Sequence, residues 1–387
     1  MTAMKTGRGW KTAIALAATT ITVAACGGGG GGSTSGGSGG FDAEQYFRGK
    51  TIQVIVTHSA GGGSDLYGRF IATRLGDALP GKPRVTVTNV SGVGGMGDVF
   101  NAPADELVVG VTSQASALYT TVLDPDAKID PAKIRMVGAT GGDPRALTLF
   151  GDAASSYDPL NKASGATGPE MKFAQTVGAP VDLVSDSFFA SWLCVTLKAP
   201  CKMVSVADDD STDINLMVQR GEVNTQLGTL ITMFRDYTPQ LADRSVKIGL
   251  EYAPDPNTKV TPPNGVAVPD VLNILPVDAK ADYDRILPII GGGGVGKNFW
   301  VGPGTSDDVL TALRAAYSKV VDDPKNVEQL QSTMAGEGSD DSGYKYEVSA
   351  VSGEDAQKAY EANADSFEKN LTYYEDLQKT YYDQFWK

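Results

Sequence analysis

The sequence predicts an α/β fold of two domains, on three observations. Two β-branched runs, Thr51-Ile-Gln-Val-Ile-Val-Thr57 and Val85-Thr-Val-Thr-Asn-Val90, each end in a glycine-rich turn. Strand and helix patterns alternate along most of the remaining chain. The part that follows an N-terminal glycine/serine stretch is about 345 residues, more than one ordinary core accommodates.

Thr51 to Thr57 reads as a buried strand. Gly61, Gly62 and Gly63 then permit backbone angles and close approaches that a Cβ forbids. From Leu66 the apolar positions Leu66, Phe70, Ile71, Leu75 and Leu79 follow helical spacing, with Ser64 or Asp65 as N-cap. A strand, a glycine turn and a helix N-terminus leave several N–H groups without intrahelical partners, at the positive end of the helix dipole. That combination is a main-chain cradle for an anion. One glycine suffices for a structural turn, so three in a row exceed that need. The second run repeats the device with Gly92, Val93, Gly94, Gly95, Met96 and Gly97. These residues also satisfy G-x-G-x-x-G, but they follow the second strand rather than the first. The next strand ends in Ser113 and Gln114 where a dinucleotide fold places a ribose-binding acid. A nicotinamide-type cofactor is excluded on that ground, and no other cofactor is expected.

The order strand, Gly61-Gly62-x-x-Asp65-x-x-x-Arg69, Val-x-Asn, Gly-x-Gly-Gly resembles the Bug or TctC family, the extracytoplasmic solute receptors of tripartite tricarboxylate transporters. The run from Phe299-Trp-Val-Gly-Pro-Gly-Thr-Ser-Asp-Asp to Asp322-Asp-Pro324 resembles that family's C-terminal segment. The resemblance implies a periplasmic-binding-protein-like (type II) fold, with domain 1 at 41–147 plus 253–387 and domain 2 at 148–252. It implies a ligand held in the interdomain cleft, its carboxylate bound by main-chain amides and waters of the two turns. The contacts it implies are the matching glycines Gly61, Gly62, Gly63, Gly92, Gly94 and Gly95, with Asp65 as a contact or chiefly a cap; His58, Ser59, Ala60 and Val93 of the same turns are expected beside them. Ser113 and Gln114, at a strand's C-terminal end, join them on the general rule for open α/β sheets. Thr176 and Gly178 would contribute from the second domain. The expected partners are a small organic mono-, di- or tricarboxylate and the transporter's membrane subunits. The protein is expected to be a monomer and not an enzyme. Two departures stand out. Thr57-His58 replaces the family's proline and its apolar successor, and Asp208-Asp-Asp210 replaces an aromatic and Lys-Gly.

Residues 1–25 read as an export signal: Lys5, Arg8 and Lys11 precede an apolar stretch from Thr12 to Ala25, too short to span a bilayer comfortably. Val23-Ala24-Ala25-Cys26 looks like a bacterial lipobox, which makes Cys26 the lipidated first residue of the mature chain; an ordinary signal peptide is the alternative. Residues 26–40 then form a glycine/serine tether with nothing to bury. The expected location is extracytoplasmic, attached to the cell membrane through lipid alone. The net charge is −13, and losing the three cations of residues 1–25, which hold no acid, takes it to −16. Nucleic acid is excluded as a partner, since its phosphates need a basic surface. Anion capture would depend on the cleft itself rather than on long-range steering.

Strands are expected at Leu107–Thr112, Arg135–Thr140, Ala146–Phe150, Met171–Val177, Cys201–Ala207, Val223–Leu227 and Val246–Tyr252. Helices are expected at Asp182–Leu197, Thr212–Gly221, Ser306–Val321, and near 326–334 and 353–385. Ala253 to Pro269, rich in Pro, Asn and Asp, reads as loop. Cys194 and Cys201 are close enough in sequence to form a disulfide outside the cell. With one histidine, remote in sequence, they make a poor metal site, so no metal is expected. Asp208-Asp-Asp210 lacks calcium-loop spacing and reads as a solvated loop. His58, the sole histidine, reads as a packing or hydrogen-bonding residue or a ligand donor. A different class of function, an exported hydrolase, would pair it with Ser59 or Ser64, but the chain has no G-x-S-x-G elbow. A sensor receptor and an adhesin-like surface protein are the remaining alternatives.

Overall fold

The first β-branched run becomes an interior strand because Ile52, Val54, Ile55 and Val56 are all buried. It is β1 (Thr51–Val56), and it pairs in parallel with β2 (Arg84–Asn89) on one side and β3 (Leu107–Ser113) on the other. The computed structural model describes residues 40–124, 127–156, 169–175, 177–206, 211–253, 255, 258–291, 294–336 and 343–387. The expected signal, Cys26 and the tether up to residue 39 lie outside them, as do Thr176 and the Asp208–Asp210 run.

The chain continues through β4 (Arg135–Thr140), β5 (Arg145–Phe150), β6 (Met171–Gln175), β7 (Cys201–Ser205), β8 (Thr225–Thr229) and β9 (Val246–Tyr252). It closes with β10 (Thr258–Thr261), β11 (Lys297–Val301), β12 (Lys345–Val348) and β13 (Ala350–Ser352). One six-stranded sheet has the order β13-β4-β11-β3-β1-β2, with β11 antiparallel to both its neighbours. A three-stranded sheet, β8-β5-β9, and a parallel pair, β6-β7, stand apart from it. The chain therefore changes sheet between Thr140 and Arg145, and a boundary at residue 147 passes through the middle of β5.

The apolar core is shared between these sheets. One buried cluster joins Val56, Tyr67, Val111 and Phe299 of the large sheet's layer to Phe150, Leu230, Phe234 and Ile248 around the small sheet. Two C-terminal helices, Gly353–Lys369 and Leu371–Phe385, form where one long helix was expected; the break falls at Asn370. The first packs on β4 and the second on the Ser185–Leu197 helix, so the pair touches both sheet systems. Tyr374 and Tyr381 of the second carry edge contacts to Phe188.

Other differences from the expected elements have local causes. Helix Gly63–Ala78 starts one residue before Ser64 and takes Gly62, not Ser64 or Asp65, as its N-cap, with no side-chain cap. The second glycine turn is instead the start of a helix, Gly92–Phe100, whose Met96, Val99 and Phe100 are buried. Thr258–Thr261 pairs with β12 despite its loop-like surroundings. Helix Leu230–Ala242, which no expected element covered, follows β8 and buries Leu230, Ile231, Met233 and Phe234. The expected strand Cys201–Ala207 ends at Ser205. Ser306 caps Asp307–Val321 through the amide of Val309, with Val309, Leu310, Leu313, Ala316 and Val320 inward. Cys194 and Cys201 are bonded, tying the Ser185–Leu197 helix to β7. No helix among the described residues is long and apolar enough to cross a membrane.

Candidate functional site

The C-terminal ends of β1, β2 and β3 come together because the three strands are parallel neighbours. At the first end the backbone turns through Gly61 at φ +85°, and at the second through Gly92 at φ +67°, a region that L side chains rarely adopt. Both lead into helices whose N-caps, Gly62 and Ser91, make no side-chain cap. The tips of both turns are open: Ala60, Gly61, Gly92, Val93 and Gly94 are exposed, while Ser59, Gly62 and Gly63 are half-buried. A helix leaves its first amides unbonded. Here these are chiefly Gly63 and Ser64 at one tip and Val93 and Gly94 at the other, since the Gly92 amide donates to the Thr57 carbonyl at 3.1 Å.

The residues of the sequence motif hold the two tips together. Asp65 accepts from the Gly61 amide at 2.9 Å, from Arg69 at 2.9 Å and from the Asn89 side chain at 2.9 Å. Arg69 also donates to Asn89, which in turn donates to the His58 carbonyl at 2.9 Å. Burial opposes ionisation of Asp65, yet hydrogen bonds from Arg69, Gly61 and Asn89 hold its carboxyl below the usual range. Asp65 is buried and both its oxygens are engaged, so in this structure it braces the turn. Its charge is spent inside this network rather than opposed to an incoming anion.

His58 lies between this network and the core. Its Nδ1 faces the Thr57 hydroxyl at 3.3 Å and its Nε2 the Ser116 hydroxyl at 3.4 Å. The Thr57 hydroxyl sits 3.0 Å from that of Thr112, which accepts from the Trp300 indole at 3.0 Å. Burial, then the nearby Lys297 charge, lower the His58 pKa to about 4. The imidazole is neutral at physiological pH. Because an unfolded histidine titrates near 6.5, the unfolded chain binds the extra proton first as pH falls. Stability is thus expected to drop between roughly pH 6.5 and 4, by about 1–3 kcal/mol. Urea melts of wild type and His58→Gln between pH 4 and 7 would check this; equal slopes would refute it.

Ser113 caps the short Gln114–Leu118 helix through the Ser116 amide. Gln114 is packed inside: its amide donates to the Gly296 carbonyl and its side chain accepts from Asn298 at 2.6 Å, with Nε2 unpartnered. The Gly178 N–H donates to Asp182 at 2.8 Å and its carbonyl accepts from Tyr382.

Sequence reasoning missed a buried cation. Lys297 opens β11 directly opposite Ser113, and its ammonium pairs with Asp143, whose other oxygen accepts from Tyr346 at 2.9 Å. A Cβ on Gly63 would lie 3.3 Å from Lys297 Cε, so the lysine stem already fills the space above that glycine. A second missed cluster is Arg145, held by Asp186 and Tyr252 at the start of β5. The glycine run ending at Gly296 was a signal for the first, since it precedes Lys297 directly. Among the described residues, no group of three or more His, Cys, Asp or Glu side chains could hold a metal ion.

A groove of about 480 Å³ lies elsewhere, lined by residues including Lys133, Arg135, Arg314 and Glu361. Its cations are already engaged, Lys133 with Asp130, Arg135 with Asp307 and Arg314 with Glu354. The exposed helix starts are not part of it.

No family model matches the chain. No curated protein matches it either. Solved structures do. The periplasmic binding protein BugD superposes with a TM-score of 0.54 at 16% identity, over 84% of this chain and 97% of that one. MatC of Rhodopseudomonas palustris with bound malate gives 0.55 at 17% identity, over 85% and 99%. A second R. palustris protein, with adipate, gives 0.56 at 15% identity, over 85% and 97%. These likenesses establish the periplasmic-binding-protein fold.

Proposed function

We propose that this chain is a solute receptor of the Bug or TctC kind, which captures a small organic carboxylate outside the membrane and does no chemistry on it. The observation that carries this reading is the pair of uncapped helix starts, half-buried at Gly63 and exposed at Gly92, braced by Asp65, Arg69 and Asn89. Two neighbouring sets of amides without intrahelical partners favour a carboxylate through dipole and hydrogen bonds together. The fold's neighbours with bound malate and adipate support the same ligand class.

In this reading residues 1–25 direct export, Cys26 is lipidated, and residues 26–40 tether the body to the membrane. Delivery is to the membrane subunits of a tripartite tricarboxylate transporter, by a monomer. The two lobes divide at the sheet change at 141–144, near the expected boundary at 147, and again near 253, and they close on ligand about that connection. The shared apolar core supports a small closure rather than a wide swing.

Among the described residues, the contact of Ser116 with His58 is the one arrangement a hydrolase could use. An imidazole with a pKa of about 4 is a weak base at neutral pH, and the group on its Nδ1 is a hydroxyl rather than a carboxylate. Titration calorimetry with malate, adipate and a panel of mono- to tricarboxylates tests the assignment. Saturable one-to-one binding of at least one acid, with no ester or amide turnover, is expected. Turnover, or no heat with any acid, would defeat it.

A further inference from the structure

Resting on the solute-capture reading above, we propose that the Lys297 ammonium binds the ligand carboxylate directly, so that the receptor takes acids and rejects their amides. The Lys297 side chain is 5% exposed, and Asp143 is its one hydrogen-bond acceptor among the described residues. An ammonium carries three donors, so two are left without a protein acceptor in a buried position. Buried donors rarely stay unmatched.

The placement of this cation is as telling as its valence. Lys297 Nζ lies 3.8 Å from the Cβ position of Gly63, the first residue of the uncapped Gly63–Ala78 helix. A positive side chain and the positive end of a helix repel each other unless an anion joins them. Asp143 supplies one negative charge, but it is tied on its far oxygen to Tyr346. A buried ion pair kept for stability alone gains little and has no reason to sit at a helix start. Among the described residues, the other groups nearby do not bond the ammonium: His58 is neutral, burial keeps the Tyr346 phenol protonated, Asp65 answers Arg69 and two neutral donors, and Asp255, buried near Tyr346, is not an acceptor of the ammonium. A ligand carboxylate bridging the ammonium and the Gly63 and Ser64 amides completes the set.

The same geometry explains why residue 63 is glycine although its backbone is ordinary. A larger side chain would push the lysine stem away from Asp143 and from the helix start.

The test is calorimetry on the full mature protein with linear mono- and dicarboxylic acids of two to six carbons, each paired with its amide, at constant ionic strength. Wild type is expected to prefer the acid, and Lys297→Met to lose roughly ten- to hundredfold in affinity for it, narrowing the gap between acid and amide. Asp143→Asn, which frees the ammonium, is expected to bind the acid as tightly as wild type or more so. Equal affinity of Lys297→Met and wild type for the acid would overturn the inference while leaving solute capture standing. So would a wild type that binds acid and amide alike, a readout that does not depend on any variant folding. A wild type that binds none of the acids would remove the solute-capture reading and this inference with it.

Discussion

Replacing Gly94 with Val is expected to abolish carboxylate binding while leaving the melting temperature within about 2 °C of wild type. A Cβ at Gly94 meets nothing within 4 Å, so the side chain projects into open space at the mouth of the helix start. There it would cover the Val93 and Gly94 amides without disturbing a packed contact. Gly95, one residue on, should behave in the opposite way. A Cβ there would lie 2.0 Å from the Val90 carbonyl oxygen, which is backbone and cannot step aside. Gly95→Ala is expected to lever the Gly92–Phe100 helix off the end of β2 and to destabilise the fold by more than about 2 kcal/mol. Paired thermal melts and calorimetry separate the two effects. Retained affinity in a folded Gly94→Val variant would contradict the main-chain cradle.

Trp300→Ala is expected to cost about 3–5 kcal/mol, a fall in melting temperature on the order of 10 °C. The indole is 1% exposed and lies against Gly110 so closely that a Cβ on that glycine would be 2.6 Å away. It also donates to Thr112, the inner end of the hydroxyl chain that reaches His58 through Thr57. Trp300→Phe keeps most of the packing and drops the N–H donor. It should lose far less stability, so that a change in ligand affinity in this variant would report on how His58 is positioned. Equal losses in both variants would show that the donor, not the packing, dominates.

The first turn was legible in the sequence because strand, glycines and amphipathic helix are contiguous and each follows a local rule. The Asp307–Val321 helix was legible for the same reason, down to its Ser306 cap. The second glycine run was harder, since glycine disfavours helix. Tertiary packing of Met96, Val99 and Phe100, and the close approach of Gly95 to Val90, override that preference. Asp65 carried two local readings, cap or ligand contact, and the structure adds a bracing role that neither named. Its partner Asn89 lies on the next strand, and only the parallel register brings the two together. Lys297 had no local signature beyond the glycine run that precedes it. It joins the site through its antiparallel pairing with Ser113 and its ion pair with Asp143, both remote in sequence. The engagement of the Gly178 amide was hidden for a related reason: its acceptor, Asp182, looked like part of the following helix.

The most direct test is a crystal structure of the protein with a bound acid identified by the calorimetric panel. The account predicts carboxylate oxygens within about 3 Å of the Gly63 and Ser64 amides and of the Val93 and Gly94 amides. An acid seated instead in the groove beside Lys133, Arg135 and Arg314, with both glycine tips facing bulk solvent, would contradict it.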